Sequence, residues 1–484
     1  MSRARQVSSF LQGAALGFLW GAVSLLVEFG LGGRALLSRM LEALTRIVPL
    51  EVQNWALGSA EAWTKVLALL GLLSVGALLT GCVAVLASGS PKRRLPITTM
   101  YASVIGLLQV LAAATNVLLL AVSLATTVLL WLGLFAVTEG VVTGDHAGRR
   151  RIVRTFVGMG LLVGVAGLAR SLWGLRERSR PPVAVDERGL PPPLTPIGDF
   201  YVVSKNVSDP ELSLAEWRLE VRGQVQRPLV LDMVALRQRP ATRQIVTLEC
   251  ISNDVWGPYI SNGEWVGVPL RDILLEAEPI EPLVDVVFHA ADGYSDSIPF
   301  SLAMEPMVLL AYGLNGEPLP REHGFPLRLV VPGIYGMKNV KWITAIELSP
   351  TDYQGFWQQR GWSDVAIVQI HSRIDTPRGG TTVPVGREVF VGGIAFAGDR
   401  GIARVELSTD GGASWQEVER EQPLSPYSWV RWWTWWWPEV PGRYRLVVRA
   451  WDGQGNVQIG EERPSLPDGA TGWHRVTVEA RASG

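Results

Sequence analysis

Hydrophobic and polar positions divide this chain at about residue 180. Upstream, four apolar blocks at residues 10–31, 66–87, 97–142 and 152–175 are separated by segments that carry most of the charged residues there. Residues 96–138 contain no Asp, Glu, Lys or Arg. A span needs ~20 apolar residues to cross a ~30 Å hydrocarbon core. The third block is twice that length and as one helix would exceed ~60 Å, so it is read as two spans with a turn near Thr115-Asn116. The pattern predicts an N-terminal α-helical membrane bundle of about five spans, at 10–31, 66–87, 97–117, 120–142 and 154–175.

Downstream the pattern changes to short β-like runs at 217–221, 243–248, 284–289, 327–331 and 341–348, punctuated by Asp292-Gly293, Asn315-Gly316 and Pro332-Gly333. Helical signals are few, residues 269–276 being the clearest, which predicts an α+β domain. From about residue 365 only strand-like runs remain, at 365–372, 388–397, 403–408, 443–451 and 474–479. Val405/Leu407 and Leu446/Val448 alternate with period two. Thr409-Asp410-Gly411-Gly412 is a hairpin-grade turn. This predicts an immunoglobulin-like β-sandwich. Six of the nine residues from Trp429 to Trp437 are tryptophan. Adjacent rings on a strand face both sides, so we read them as packing on the sandwich core and a neighbouring domain.

Charge adds orientation. The net charge of −1 implies no global pull toward nucleic acid. Arg3 and Arg5, Lys92-Arg93-Arg94, and Arg149-Arg150-Arg151 with Arg154 fall on one side of a five-span arrangement, taken as cytoplasmic. The rest of the chain is then expected outside the cytoplasm, at the cell membrane. Arg149-Arg150-Arg151 ahead of a Gly-rich apolar run also resembles a twin-arginine export signal. Arg180-Pro181-Pro182 through Pro196 reads as a stiff linker. His146 is the only histidine before residue 289, so no intramembrane bis-histidine haem is expected.

Candidate chemistry is sparse. There is no CxxC, HExxH, GxGxxG, P-loop or GxSxG, so no zinc, iron–sulfur or nucleotide site is signalled. The two cysteines are Cys82, in an apolar block, and Cys250, in Thr247-Leu248-Glu249-Cys250-Ile251-Ser252-Asn253. On its residues alone Cys250 is either a buried structural thiol or a soft thiolate ligand. His323, Arg328, Lys338 and Lys341 are interleaved with Gly324, Gly333 and Gly336. That set suits either a phosphorylated ligand or a solvated loop face.

These segments, in this order, resemble the sulfite oxidase family of molybdopterin enzymes from about Phe200 onward. The Cys250 loop resembles the family's molybdenum-binding cysteine loop, and Asp292-Gly293-Tyr294-Ser295-Asp296-Ser297-Ile298-Pro299 its active-site tyrosine loop. Leu309 to Arg328, and Val331-Pro332-Gly333-Ile334-Tyr335-Gly336 with Lys338 and Val340-Lys341-Trp342, are further matches. Leu407 to Gly412 with Trp415 resembles its dimerisation domain. The resemblance implies a molybdenum–molybdopterin cofactor with Cys250 as the metal ligand and Tyr294 beside the reacting position. It implies cofactor binding by Asn253, His323, Arg328, Gly336, Lys338 and Lys341, and a substrate pocket reached by Lys205 and Arg431. No haem, iron–sulfur cluster or nucleotide cofactor is expected.

Two departures bear on substrate. Phe200-Tyr201 is followed by Val202-Val203-Ser204-Lys205-Asn206, with no arginine, and Asp254-Val255 stand where the sulfite oxidases carry arginines. A pocket for a small dianion wants those cations. The expected domains are a transmembrane region (1–178), a Pro-rich linker (179–198), a molybdopterin-binding catalytic domain (199–355) and an immunoglobulin-like dimerisation-type domain (356–484). The expected function is two-electron oxo transfer on a small substrate, an S-oxide or oxyanion, by a membrane-anchored extracytoplasmic enzyme. Its expected partners are the membrane, a separate electron-transfer protein and a second copy of the chain, with no nucleic acid. The alternative is a cofactor-free membrane-anchored binding or assembly protein on the same fold.

Overall fold

The structure, a computed structural model, describes residues 185–206 and 209–482 together with helical stretches at 6–7, 10–14, 16–17, 78–87 and 96–105. The chain forms two compact units. One comprises Met1–Arg180 with Ser204–Pro210, the other Pro181–Val203 with Glu211–Gly484.

In the first unit Gly13 and Gly81 allow close approach of helical backbone. A Cβ on Gly13 would lie 2.5 Å from Ala84 Cβ, and one on Gly81 2.9 Å from the Phe10 ring. Thr80 Oγ1 and Tyr101 Oη share a hydrogen bond of 2.8 Å. The five-span membrane bundle expected from the sequence is not seen. Among the described residues no helix is long and apolar enough to cross a membrane. The expected spans at 120–142 and 154–175, most of the other three, and the Arg149–Arg151 cluster lie outside the described residues.

The second unit is built on four sheets. The first has the order Leu229–Leu231, Leu219–Gly223, Ile343–Ser349, Asp285–Ala290, Ser295–Pro299, with Leu219–Gly223 and Ile343–Ser349 parallel. Helix Leu270–Glu276 starts after Pro269 and turns Leu270, Ile273 and Leu274 inward. That i, i+3, i+4 spacing forms one helical face, and it joins Phe288, Ile298 and Ile346 in one core. The second sheet runs Thr242–Glu249, Ile260–Pro269, Leu309–Leu314, Glu317–Pro318, with Arg328–Val330 also on Leu309–Leu314. Its core holds Val246, Leu248, Trp265 and Phe200. Thus the last residues of Thr242–Glu249 are buried, and Cys250 follows directly on a fixed strand end.

The remaining two sheets share one core. Four strands, His371–Thr376, Val389–Phe396, Val430–Trp436 and Glu419–Arg420, oppose five, Thr382–Pro384, Arg475–Arg481, Gly442–Asp452, Ile402–Ser408 and Gln416–Glu417. Val391, Val405, Trp432, Leu446 and Val448 are all 0% exposed and lie between them. The tryptophan run divides by face: Trp432 is buried and donates Nε1 to Ile394 O at 3.1 Å, whereas Trp435 and Trp437 are exposed. Trp429 instead packs with Ile251, Ile260, Tyr335 and Trp362 around the Cys250 loop, and its backbone N donates to Thr247 Oγ1 at 2.9 Å. The Pro-rich segment also packs rather than bridging freely: Leu190 is fully buried, and Thr195 N donates to Asn262 O at 2.8 Å.

Candidate active site

Cys250 ends a buried strand and opens a tight turn. Its N donates to Tyr259 O at 2.9 Å, and its O accepts from Asn253 N at 2.9 Å. Asn253 closes the loop from inside: Nδ2 donates to Glu249 Oε1, and Oδ1 accepts from Tyr259 N, each at 2.9 Å. Gly257 lies so close to Asn253 Oδ1 that no side chain fits there. Asn253, expected among the cofactor ligands, is thus engaged in shaping the loop. The Cys250 side chain is 9% exposed, and its Sγ lies 3.1 Å from Ser252 Oγ.

Three tyrosines are within electrostatic reach of that thiol. Burial raises the hydroxyls of Tyr201, Tyr294 and Tyr335 well above the usual phenol range, and a charge on Cys250 raises each further. All three therefore stay protonated beside the sulfur. Tyr294 Oη donates toward Asp296 Oδ2 and Met337 O, both at 2.9 Å. Gly336 lies under Tyr201, and a Cβ there would lie 2.5 Å from Tyr201 Oη and 3.2 Å from Glu249 O. This close approach explains the glycine in the Tyr335-Gly336 pair.

On another side of Tyr201 lies Arg328, which pulls that hydroxyl back down. Arg328 is buried. Nη1 donates to His323 O at 3.1 Å and Nη2 to Asn339 O at 3.2 Å, its guanidinium lies 5.0 Å over the Trp265 ring, and Nε is buried without a partner. Burial pushes its pKa down to about 10. His323 is buried against Phe200 at a ring distance of 5.3 Å. Burial first, then the Arg328 and Lys341 charges, push it down to about 3, so it is neutral at pH 7. Lys341 donates Nζ to Val203 O at 3.2 Å and Glu322 O at 3.0 Å. Gly324, at φ +110°, separates these cations: a Cβ there would lie 3.0 Å from Arg328 Cβ and 3.1 Å from Lys341 Cβ. His323, Arg328 and Lys341 are thereby brought together around Gly324.

Three other nominated cations have protein partners of their own. Lys338 is 2% exposed and bonds Asp296 Oδ1, Ser297 O and Asp364 Oδ1 at 3.2, 2.9 and 2.9 Å. Arg431 is held by Glu421, Asp186 and Pro191 O. Lys205 belongs to the first unit, where its Nζ donates to Asn206 Oδ1 at 3.0 Å.

Residues not nominated from the sequence complete the site. Glu249 is buried, with Oε1 3.3 Å from His371 Nδ1 and Oε2 unpartnered, and burial pushes its carboxyl up to about 7. Asp296 and Tyr201 are the others. Both stand inside the quoted segments, but nothing in a linear pattern shows that a carboxylate in Ser295–Pro299 points inward.

The chemistry of this set fits a molybdenum–pterin group: one buried thiol, a buried arginine with an unpartnered Nε, and a glycine cradle between cations. Residues 206–357 match the family model "Oxidoreductase molybdopterin binding domain", and residues 364–481 match "Mo-co oxidoreductase dimerisation domain". The chain is 33% identical over 342 residues to mitochondrial sulfite oxidase of Rattus norvegicus, covering 59% of this chain and 61% of that one. It is 32% identical over 363 residues to sulfite oxidase of Gallus gallus, covering 62% and 77%. It is 30% identical over 327 residues to nitrate reductase [NAD(P)H] of Hordeum vulgare, covering 55% and 37%. Among solved structures it resembles the sulfane dehydrogenase SoxCD from Paracoccus pantotrophus, with TM-score 0.51 and 25% identity, covering 58% of this chain and 83% of that one. The chain spans about three fifths of the length of the mitochondrial sulfite oxidase it matches.

Proposed function

Because this chain belongs to the sulfite oxidase family of molybdopterin-dependent oxidoreductases, we propose that it carries out two-electron oxo transfer on a small substrate of the S-oxide or oxyanion type. Cys250 would ligate the molybdenum through its thiolate. Arg328, His323 and Lys341 would hold the pterin phosphate, with Gly324 allowing backbone to approach it. When bound, this group supplies the two-electron redox chemistry.

The protein's own part is positional. The Cys250 turn is fixed by Asn253 and Gly257, so the thiol does not wander. The observation that carries the reading is the packing of Tyr201: a Cβ on Gly336 would lie 2.5 Å from its Oη and 3.2 Å from the O of Glu249, the residue before Cys250, and its ring stacks at 6.1 Å on Phe200, which lies 5.3 Å from His323. It connects the thiol to the cation cradle as one site.

The same proposal includes a second copy of the chain, paired through residues 364–481, and a separate electron partner. The matched dimerisation model supports the first. It also includes an extracytoplasmic location at the cell membrane, supported by Arg149-Arg150-Arg151 ahead of an apolar run. The test is molybdenum and pterin content of protein purified from a cofactor-competent host. Near-stoichiometric metal, lost in Cys250→Ala while the fold persists, is expected. Metal-free wild-type protein would refute the assignment.

A further inference from the structure

The turn that carries Cys250 lies within residues 206–357, yet much of what holds it comes from residues 364–481. Thr247 N donates to Tyr427 O at 3.0 Å, and Trp429 N to Thr247 Oγ1 at 2.9 Å. The Trp256 ring lies 6.3 Å from that of His474. Strand His371–Thr376 reaches both limbs of the turn. His371 Nδ1 lies 3.3 Å from Oε1 of Glu249, the residue before the thiol. Arg373 Nη1 donates to Gly257 O at 2.7 Å, on the limb that returns from it.

Period two places His371 and Arg373 on one face of that strand. A bulge follows them: Ile374 pairs with Gly393 and Thr376 with Gly392, which leaves Asp375 as the extra residue. Gly393 makes room for it, since a Cβ there would collide with Arg373 O and lie 3.1 Å from Asp375 N. Asp375 Oδ1 in turn accepts from Arg373 Nε at 2.9 Å, so two donors of one planar guanidinium are fixed at once. Gly257 N donates to Asp254 O at 2.8 Å, and Gly257 packs on Asn253 Oδ1, while Asn253 N donates to Cys250 O at 2.9 Å. A shift of Gly257 therefore passes through Asn253 to the backbone of the thiol residue. The backbone bonds that close the turn join neutral groups, whereas the bond from Arg373 is charge-assisted, the stronger class.

We propose that Arg373 is a positioning residue for the thiol: by holding Gly257 O from the sandwich it fixes the returning limb of the Cys250 turn, so that the second domain helps to set where the sulfur sits. This rests on the reading of Cys250 as the metal ligand. It goes beyond that reading by giving the region that matches the dimerisation model a part in the site.

The test reads the thiol directly, on the full chain prepared without cofactor. Alkylation of Cys250 by iodoacetamide is followed by peptide mass, with Cys82 of the first unit as the internal reference. Arg373→Gln removes the charged donor. Arg449→Gln is the control, because Arg449 belongs to the same sandwich but is held by Glu406 Oε2 at 2.6 Å and lies 4.0 Å over the Trp415 ring. Arg373→Gln is expected to alkylate at Cys250 at least about tenfold faster than wild type, the worth of one hydrogen bond from a charged group, and Arg449→Gln at the wild-type rate. An equal gain in both variants would mean general loosening, and an unchanged rate in Arg373→Gln would mean that the turn is held without it; either overturns the proposal. Should Arg373→Gln not fold, amide hydrogen exchange of wild-type protein decides. Asn253 N and Gly257 N are expected to exchange within about tenfold of the slowest amides of His371–Thr376, and faster exchange than that would show the turn opening independently of the sandwich. Metal-free wild-type protein would remove the cofactor assignment and leave all of these rates unchanged, so the two failures are distinct.

Discussion

Gly324→Ala tests the cation cradle more directly than removing a cation. At φ +110° an L-residue costs on the order of 1–2 kcal/mol in backbone strain. Gly316, at φ +82°, carries a similar strain, but its Cβ would meet nothing within 4 Å, so Gly316→Ala is the control. The added methyl at Gly324 would lie 3.0 Å from Arg328 Cβ, 3.1 Å from Lys341 Cβ and 3.2 Å from Lys341 Cα, against ~3.5–4.0 Å for an unstrained carbon pair. Relief moves Arg328 or Lys341 by about half an ångström. The Arg328 bonds to His323 O and Asn339 O, at 3.1 and 3.2 Å, then stretch past a useful length. Losing one charge-assisted bond to a phosphate costs ~1.5–3 kcal/mol, or roughly 10–100-fold in cofactor affinity. The assay is pterin and molybdenum retention on dilution, with urea unfolding of the cofactor-free proteins. Both variants should lose similar stability, and only Gly324→Ala should lose cofactor. Equal retention in the two would refute the assignment of this cradle to the phosphate.

Three further outcomes follow from the same geometry. Cys250→Ser should leave urea unfolding within about 1 kcal/mol of wild type, since the exchange keeps nearly the same volume and a hydrogen-bonding group beside Ser252 Oγ; molybdenum content, measured on the same preparation, should collapse. His323 is held near 3 when folded, below its ~6.5 in the unfolded chain. The unfolded state therefore binds the extra proton, and cofactor-free protein should lose stability as pH falls from about 6.5 toward 3. His323→Gln should shrink that loss between pH 6.5 and 5 in urea titrations, and an unchanged slope would exclude the burial argument. Trp432→Ala should cost about 3–5 kcal/mol, because a fully buried ring and its bond to Ile394 O are removed. Trp435→Ala, at 58% exposure, should stay within about 1 kcal/mol in the same assay.

Where the pattern was legible, it was because local rules and burial agreed. The runs at 243–248, 284–289 and 341–348 are observed as strands Thr242–Glu249, Asp285–Ala290 and Ile343–Ser349. Val405, Leu407, Leu446 and Val448 all face the core that their alternation implied. Strand Ile260–Pro269 was harder to read, because Ser261, Asn262 and Gly263 open it with polar and small residues. Asn262 is buried through its bonds to Thr247 Oγ1, Pro193 O and Thr195, all of them distant in sequence. The N-terminal expectation had a different weakness. An apolar run reports composition, which does not by itself set where a helix starts and stops; among the described residues no helix is long and apolar enough to cross a membrane.

The cations show what a linear sequence cannot supply, which is the identity of each partner. Lys338 stands in the same interleaved set as His323, Arg328 and Lys341, and nothing in that spacing sets it apart. In the fold it meets two carboxylates, Asp296 and Asp364, and Arg431 likewise meets Glu421 and Asp186. A carboxylate partner cancels the charge as well as filling the donors. Arg328 meets backbone carbonyls instead. A carbonyl orients the donor and leaves the full positive charge in place, which for buried Arg328 is an unfavourable state, registered in its pKa falling to about 10. An anion beside Arg328 would relieve that cost, and one beside Lys338 would find the charge already balanced. The phosphate proposed for this site would therefore be met by Arg328, with neutral His323 beside it as a hydrogen-bonding group rather than a second charge.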